Sequence, residues 1–285
     1  MTRVLVTGAS GMLGSAVLRG FAHTPEFEVH ATARSPHVGR FFDPGTASRL
    51  LTGYDLVNED HLTILFERTR PDIVIHCAGL VKQLKESDDA LLAIPVNSLL
   101  PHRLARLCRI AGARLIHIST DCVFSGATGG YTEASPPDAT DLYGLSKLLG
   151  EVQGPNAVTL RTSIIGHELE GNRSLINWFL SQEGEVRGFT RAIFSGLPTV
   201  ELANVIRTHV IPNPALEGLY HVSAAPINKY DLLSLVALTY GKDIRIRADD
   251  AYAVDKSLDS SRFRAATGYV PPEWPELVRR MRESL

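Results

Sequence analysis

Cysteine is scarce, with three residues among 285, and Cys77, Cys108 and Cys122 have no metal-ligand spacing. An odd, scattered set argues against a disulfide scaffold and a zinc site, so a reducing cytoplasm is the expected compartment. The ten histidines contain no pair spaced two or four apart, and no metal is expected. No apolar run approaches the roughly 18 residues of a bilayer span. Val4-Leu5-Val6 is broken at once by Thr7-Gly8, so neither a membrane anchor nor a signal peptide is expected. Charge of one sign is missing too: 29 basic residues against 31 acidic ones leave a net charge of −2. That balance offers no broad cationic surface to nucleic acid or an anionic membrane. Hydrophobic residues make up 44% of the chain and charged residues 21%, which excludes disorder as the dominant state. The length suggests about two domains.

The first half alternates strand and helix patterns. Strands are expected over 3–7, 28–32, 73–77, 115–118 and 158–162, and helices over 12–23, 58–68, 97–111 and 143–153. Repeated βαβ units imply a parallel sheet covered on both faces, so the fold class is α/β, a doubly wound Rossmann-like sheet. After about residue 163 the rhythm becomes irregular. Helices are expected over 174–182, 199–209 and 228–240, and short strands over 219–222 and 244–247. The expected division is a dinucleotide-binding domain over 1–163 and a smaller mixed α/β substrate lobe over 164–285. Part of 196–225 is allowed to return to the first domain.

Between the first strand and helix stands Gly8-Ala9-Ser10-Gly11-Met12-Leu13-Gly14. Glycine permits a tight turn and close approach of a pyrophosphate, and free N–H groups at a helix start face the anion. Gly8, Ser10, Gly11, Met12, Leu13 and Gly14 are therefore candidate cofactor contacts, Met12 and Leu13 chiefly through backbone and packing. The second strand ends in Ala33-Arg34-Ser35 with no acid to hold a ribose 2′-hydroxyl. Arg34 and Ser35 suit a 2′-phosphate instead, so NADPH is expected over NADH.

Tyr143 and Lys147 stand four apart, on one face of a predicted helix. A nearby cation stabilises phenolate and would help the tyrosine exchange a proton with a carbonyl oxygen. Chance alone supplies about 0.17 such matches, and Tyr252 with Lys256 is a second one. Position separates them: Tyr143 follows the strand ending at Ser119-Thr120, whereas Tyr252 and Lys256 are assigned to the substrate-lobe surface. Thr120, at a strand's carboxyl end, is the candidate hydrogen-bond donor to a substrate oxygen. His76, His117 and His221 lie near strands and read as satisfied core or strand-end residues.

Gly8, Gly11, Gly14, Thr120, Tyr143 and Lys147 follow the order and approximate spacing of the extended short-chain dehydrogenase/reductases, and the chain resembles that family. The resemblance adds Asp55 and Leu56 as adenine contacts, Cys77, Ala78 and Gly79 beside the cofactor, and Asn97 on the central helix. The segment Ser119-Thr120-Asp121-Cys122-Val123-Phe124-Ser125-Gly126 is similar to that of the dTDP-4-dehydrorhamnose reductases. Arg161-Thr162-Ser163 and Gly196-Leu197-Pro198-Thr199 are similar as well. It implies NADPH-dependent reduction of a 4-keto group on a nucleotide-linked deoxysugar. Tyr143 would act as acid and Lys147 would hold the nicotinamide ribose. A homodimer is one assembly the resemblance allows.

Asp121, Cys122, Val123, Ser163 and Ile164 fall where the sugar would sit. Two departures stand out: Cys122 replaces a tyrosine and Ile164 a tryptophan. Trp178 is a candidate replacement surface or, equally, a core residue. Lys82, flanked by Gln83 and Lys85, and Arg173 and Arg191 are candidates for the substrate diphosphate. Asp121-Cys122 replaces the Asp-Glu pair of related dehydratases, which disfavours dehydration. A nucleotide-sugar 4-epimerase is disfavoured by the missing acid at the cofactor ribose. From another class, an NADP-binding regulatory subunit without turnover is the alternative, and the intact Thr-Tyr-Lys set argues against it.

Overall fold

A computed structural model describes residues 1–82 and 85–285, the Lys85 side chain excepted, so Gln83 lies outside the described residues. The chain begins β1 (Thr2–Thr7), α1 (Met12–Ala22), β2 (Phe27–Ala33), α2 (Pro44–Ala47), β3 (Leu50–Thr52), α3 (Glu59–Thr69) and β4 (Ile73–His76). It continues α4 (Ala90–Ala93), α5 (Leu100–Ala111), β5 (Arg114–Thr120), α6 (Leu142–Leu149) and β6 (Ala157–Thr162). Next come β7 (Ile164–Ile165), α7 (Leu175–Ser181), β8 (Glu185–Phe194), β9 (Leu197–Pro198) and α8 (Thr199–Val205). The last elements are β10 (Gly218–His221), β11 (Ile227–Asn228), α9 (Lys229–Tyr240), β12 (Arg245–Asp255), α10 (Ser261–Thr267) and α11 (Trp274–Glu283).

Seven strands form one sheet in the order β3-β2-β1-β4-β5-β6-β10, and every pairing is parallel. The order reverses between β1 and β4, so a crevice opens beyond their carboxyl ends, where such sheets bind ligands. Alternation along β1 serves both faces. Val4 and Val6 join the core with α1 and α8, whereas Leu5 joins Leu62, Val74, Leu104 and Leu115 on the opposite face. The strand β10 returns to the main sheet beside β6, and the larger core cluster runs from Val4 to Met281.

A second sheet, β11-β8-β12, builds the smaller part. Its central strand β8 escapes the sequence reading, which also sees only the start of β12. Both strands are half solvent-facing and carry several charged residues, so neither makes a long apolar run. The helix α11 was also unread, although Trp274, Leu277, Val278 and Met281 bury one face of it.

The expected helix over 97–111 differs at its start. Residues Ile94–Leu99 form a π-helical turn, in which the Leu100 N–H donates to the Pro95 carbonyl. Pro101 has no N–H to offer the Asn97 carbonyl four residues back, so regular helix begins only at Leu100. Gly150 packs against the carbonyl thus freed: a Cβ there would lie 1.9 Å from the Asn97 oxygen. That contact holds the end of α6 to the turn.

Candidate active site

The glycine turn is built by close contacts that no side chain allows. Gly8 has φ +83°, and a Cβ on it would meet the Ala78 backbone at 2.8 Å. A Cβ on Gly14 would stand 2.1 Å from the Gly8 carbonyl, so α1 rests directly on the turn. Gly11 caps α1 with no side-chain hydrogen bond, and the first turn carries no acid. Its N–H groups have no intrahelical partner, which suits a pyrophosphate. Leu13 is buried in the core, and Met12 lines a separate hollow of about 690 Å³ between α1, α8 and α11.

A cleft of about 530 Å³ runs from this turn along the crevice, lined by Gly8, Ser10 and Gly11. Its far wall carries Arg34, Asp55 and Leu56, and its floor Cys77, Ala78 and Gly79. Arg34 is exposed there. Ser35 differs from expectation: its hydroxyl accepts the His37 N–H and caps the following short helix, and it is not among the lining residues. Tyr54 also lines the cleft, with Arg68 donating to its hydroxyl at 3.3 Å. Sequence reasoning missed it, because a lone tyrosine after Gly53 has no motif around it. The residues present fit a dinucleotide: a glycine cradle, an open helix start and an exposed cation at the ribose end.

Asn97 is buried and makes three side-chain hydrogen bonds. It accepts the Leu80 N–H at 2.9 Å and donates to the Leu80 carbonyl and the Ser146 hydroxyl, each at 3.2 Å. It therefore ties the floor of the cleft to α6. Asp141 caps α6 by accepting the Gly144 N–H at 2.8 Å. One turn on, Lys147 donates to the Ile118 carbonyl at 2.8 Å.

The electrostatics correct one expectation. Burial pushes the Tyr143 phenol up, Cys122 and Asp121 add to the rise, and the Thr120 hydroxyl pulls it back. Burial therefore outweighs any help from Lys147. Burial also pushes the Lys147 ammonium down to about 8, against the pull of Glu151 and Cys77. The phenol is thus held protonated, as a proton donor must be. Two buried rings sit below: His76 and His117 stack 5.2 Å apart. His76 is hydrogen-bonded to Thr7 at 2.7 Å, but both His117 nitrogens lack a partner among the described residues. His117 is therefore not the satisfied core histidine expected, and burial holds both rings neutral.

Thr120 ends β5, donating to Asp121 Oδ1 at 3.2 Å and accepting the Cys122 N–H at 3.1 Å. Asp121 is buried and its carboxyl pushed up; burial pushes the Cys122 thiol up to about 11. Val123 sits in a small core cluster. Its side chain is fully buried with Phe124, Tyr131 and Leu258, and its carbonyl accepts two N–H groups, from Asp138 and Ala139. Nothing of its side chain is left for a ligand. Ser163 and Ile164 follow β6, with the Ser163 carbonyl accepting the Leu197 N–H. Lys82 is paired with Asp141 at 2.8 Å. Trp178 is 37% exposed on α7, and Arg191 is exposed on β8; among the described residues neither makes a hydrogen bond, ion pair or ring contact with Thr120 or Tyr143. Arg173 donates its backbone N–H to Glu168. Tyr252 is exposed on β12 of the small sheet, as expected, and Lys256 follows that strand; Tyr252 is within electrostatic reach of Lys82, and Lys256 of Asp121 and Cys122.

Residues 1–285, the whole chain, match the RmlD substrate binding domain family. The chain belongs to that family. A relative of this RmlD chain, methionine adenosyltransferase 2 subunit beta of Danio rerio, is 30% identical over 249 residues, 82% of this chain and 73% of that protein. The dTDP-4-dehydrorhamnose reductase of Mycobacterium tuberculosis is 33% identical over 171 residues, 56% of this chain and 49% of that one. A solved RmlD-like structure, dTDP-4-dehydrorhamnose reductase from Bacillus anthracis in complex with NADP, has a TM-score of 0.80. It is 24% identical and covers 100% of this chain and 99% of that one, a likeness of fold. Among the described residues of this RmlD chain no helix is long and apolar enough to cross a membrane.

Proposed function

We propose that this chain is an NADPH-dependent reductase of a 4-keto group on a nucleotide-linked deoxysugar. The observation that carries the reading is the meeting of Thr120, Tyr143 and Lys147 beside a glycine cradle at the sheet's carboxyl edge. Gly8, Gly11 and the start of α1 hold the pyrophosphate, and Arg34 takes the 2′-phosphate. NADPH, when bound, supplies the hydride. Thr120 donates a hydrogen bond to the keto oxygen. Tyr143, protonated at neutral pH, gives its phenolic proton to that oxygen as negative charge develops there. Lys147, anchored on the Ile118 carbonyl, directs its remaining protons to the ribose hydroxyls and steadies the phenolate that forms.

The test is NADPH absorbance decay with nucleotide-linked 4-keto-deoxysugars, beside Tyr143→Phe. Oxidation by the wild type, lowered about 10²- to 10⁴-fold in the variant with NADPH affinity kept, supports the reading. An unchanged rate in the variant rejects the role of Tyr143.

A second reading rests on the likeness to methionine adenosyltransferase 2 subunit beta. Under it the chain binds the dinucleotide and serves a partner enzyme without turnover. NADPH binding without oxidation across the substrate panel, together with co-purification of a partner enzyme, is its expected signature.

A further inference from the structure

The chain has six lysines, and Lys82, Lys229 and Lys256 gather around Asp121-Cys122. Lys82 is neutralised by Asp141. Lys229 and Lys256 are different, and the end of β8 places them. On one edge Asn228 pairs with Ile193, so Lys229 follows at the start of α9. On the other edge Asp255 pairs with Ile193, and the Lys256 N–H donates to the Ile193 carbonyl. The two ammonium groups thus flank one strand end, and both face Asp121.

Each lysine rests on a neighbouring group, Lys229 by its ammonium and Lys256 by its stem. Lys229 Nζ lies 4.2 Å from the centre of the Phe194 ring. The Lys256 chain lies on Gly126, where a Cβ would stand 3.0 Å from its Cγ. Among the described residues neither ammonium has a hydrogen-bond or ion-pair partner. Lys256 also lies within reach of Asp138 and Asp141, but Asp138 is held by Ser125 and Asp141 by Lys82. One buried carboxyl, Asp121, therefore faces two cations, and one of them stands at the positive end of a helix. A lysine there opposes the helix dipole and gains nothing for the fold. Burial pushes the Lys229 ammonium down to about 8, a cost that a bound anion would offset.

We propose that Lys229 and Lys256 form a cationic subsite that holds an anionic group of the substrate on the small-sheet side of Thr120 and Tyr143. This rests on the substrate being a nucleotide-linked sugar. The anion has two possible sources, a carboxylate on the sugar or the diphosphate of the nucleotide. In either case a charge-assisted contact replaces the aromatic surfaces that Cys122 and Ile164 lack.

The test is equilibrium titration of the NADP⁺-saturated protein with UDP-glucose, UDP-glucuronate, UDP and UMP, and with their thymidine counterparts. Wild type, Lys229→Met, Lys256→Met and Lys229→Arg are compared. If the sugar supplies the anion, wild type prefers the glucuronate nucleotide to the glucose nucleotide about tenfold. If the diphosphate supplies it, wild type binds the two alike and prefers UDP to UMP by a similar factor. Either preference is lost in both methionine variants and kept in Lys229→Arg, with NADP⁺ affinity unchanged in all. A wild type with neither preference, or methionine variants that keep it, overturns the proposal. Because the readout is binding, absent NADPH oxidation counts against the reductase reading alone, whereas absent NADP⁺ binding counts against the cofactor reading.

Discussion

Lys147 Nζ donates to the carbonyl of Ile118 at 2.8 Å, two residues before Thr120 on the same strand. The bond joins α6, which carries Tyr143, to the strand end that carries Thr120. Tyr143, Thr120 and Lys147, the proposed acid, hydrogen-bond donor and cation, therefore share one frame.

Under the proposed mechanism this frame predicts a pH-dependent turnover. With the Lys147 ammonium held at about 8, its charge is lost as pH rises through that value. The expected turnover falls above about pH 8, well below the ordinary lysine value, and a pH profile of NADPH oxidation checks it.

Stability follows its own course, with the sign set by which state binds more protons. Lys147 and Lys229 are pushed from 10.5 to about 8, so above that pH the unfolded chain holds protons that the folded chain has released, and stability rises. Cys77, Cys108 and Cys122 are pushed from 9.0 to about 12, 12 and 11, so above pH 9.0 the folded chain holds more protons and stability falls. Thermal midpoints measured across this range should rise from pH 8 and peak near pH 9. A steady fall from pH 7 upward contradicts the burial of both lysines.

Gly14→Ala tests the cradle. The added methyl would sit 2.1 Å from the Gly8 carbonyl, so α1 must move off the turn. Overpacking of this kind costs about 1–3 kcal/mol. Denaturant unfolding should show that loss, and NADPH titration a weakened affinity.

Arg34→Ala tests cofactor choice. The exposed guanidinium on the cleft wall is the cation available to a 2′-phosphate. Its removal should weaken NADPH about tenfold and leave NADH nearly unchanged, as read by parallel titrations. Equal losses for both would assign Arg34 elsewhere.

Glu151 and Arg161 are paired at 2.6 Å with side chains only 6% and 4% exposed, and Ser119 donates to the same carboxylate. Breaking a buried pair leaves an uncompensated charge, at a cost of about 3–5 kcal/mol. Glu151→Ala should lose that much in denaturant unfolding, whereas a surface pair such as Arg279 with Glu276 should lose little when truncated.

The cofactor half was legible because its signals are local. A buried strand, a glycine turn and an amphipathic helix stand next to each other in the chain, and the parallel order follows from the alternation. The Tyr143–Lys147 spacing is equally local, since one helical turn sets it. Legibility failed where a strand carries charges on its open face, as β8 and β12 do, and where backbone chemistry overrides periodicity. Pro101 moved the start of α5 past Asn97, although the sequence around it reads as unbroken helix.

The sequence by itself determined the glycine cradle, the sheet that carries it and the spacing of Tyr143 and Lys147, because contacts between near neighbours decide all three. Tertiary structure alone decided the chemistry of the opposite wall. Lys229 and Lys256 lie 27 residues apart and more than 100 from Asp121. Only the pairing of β11 and β12 on either side of β8 brings both cations to one carboxyl. Burial then set the charges: it raised Tyr143 and lowered Lys147 and Lys229, and burial is a property of the packed chain.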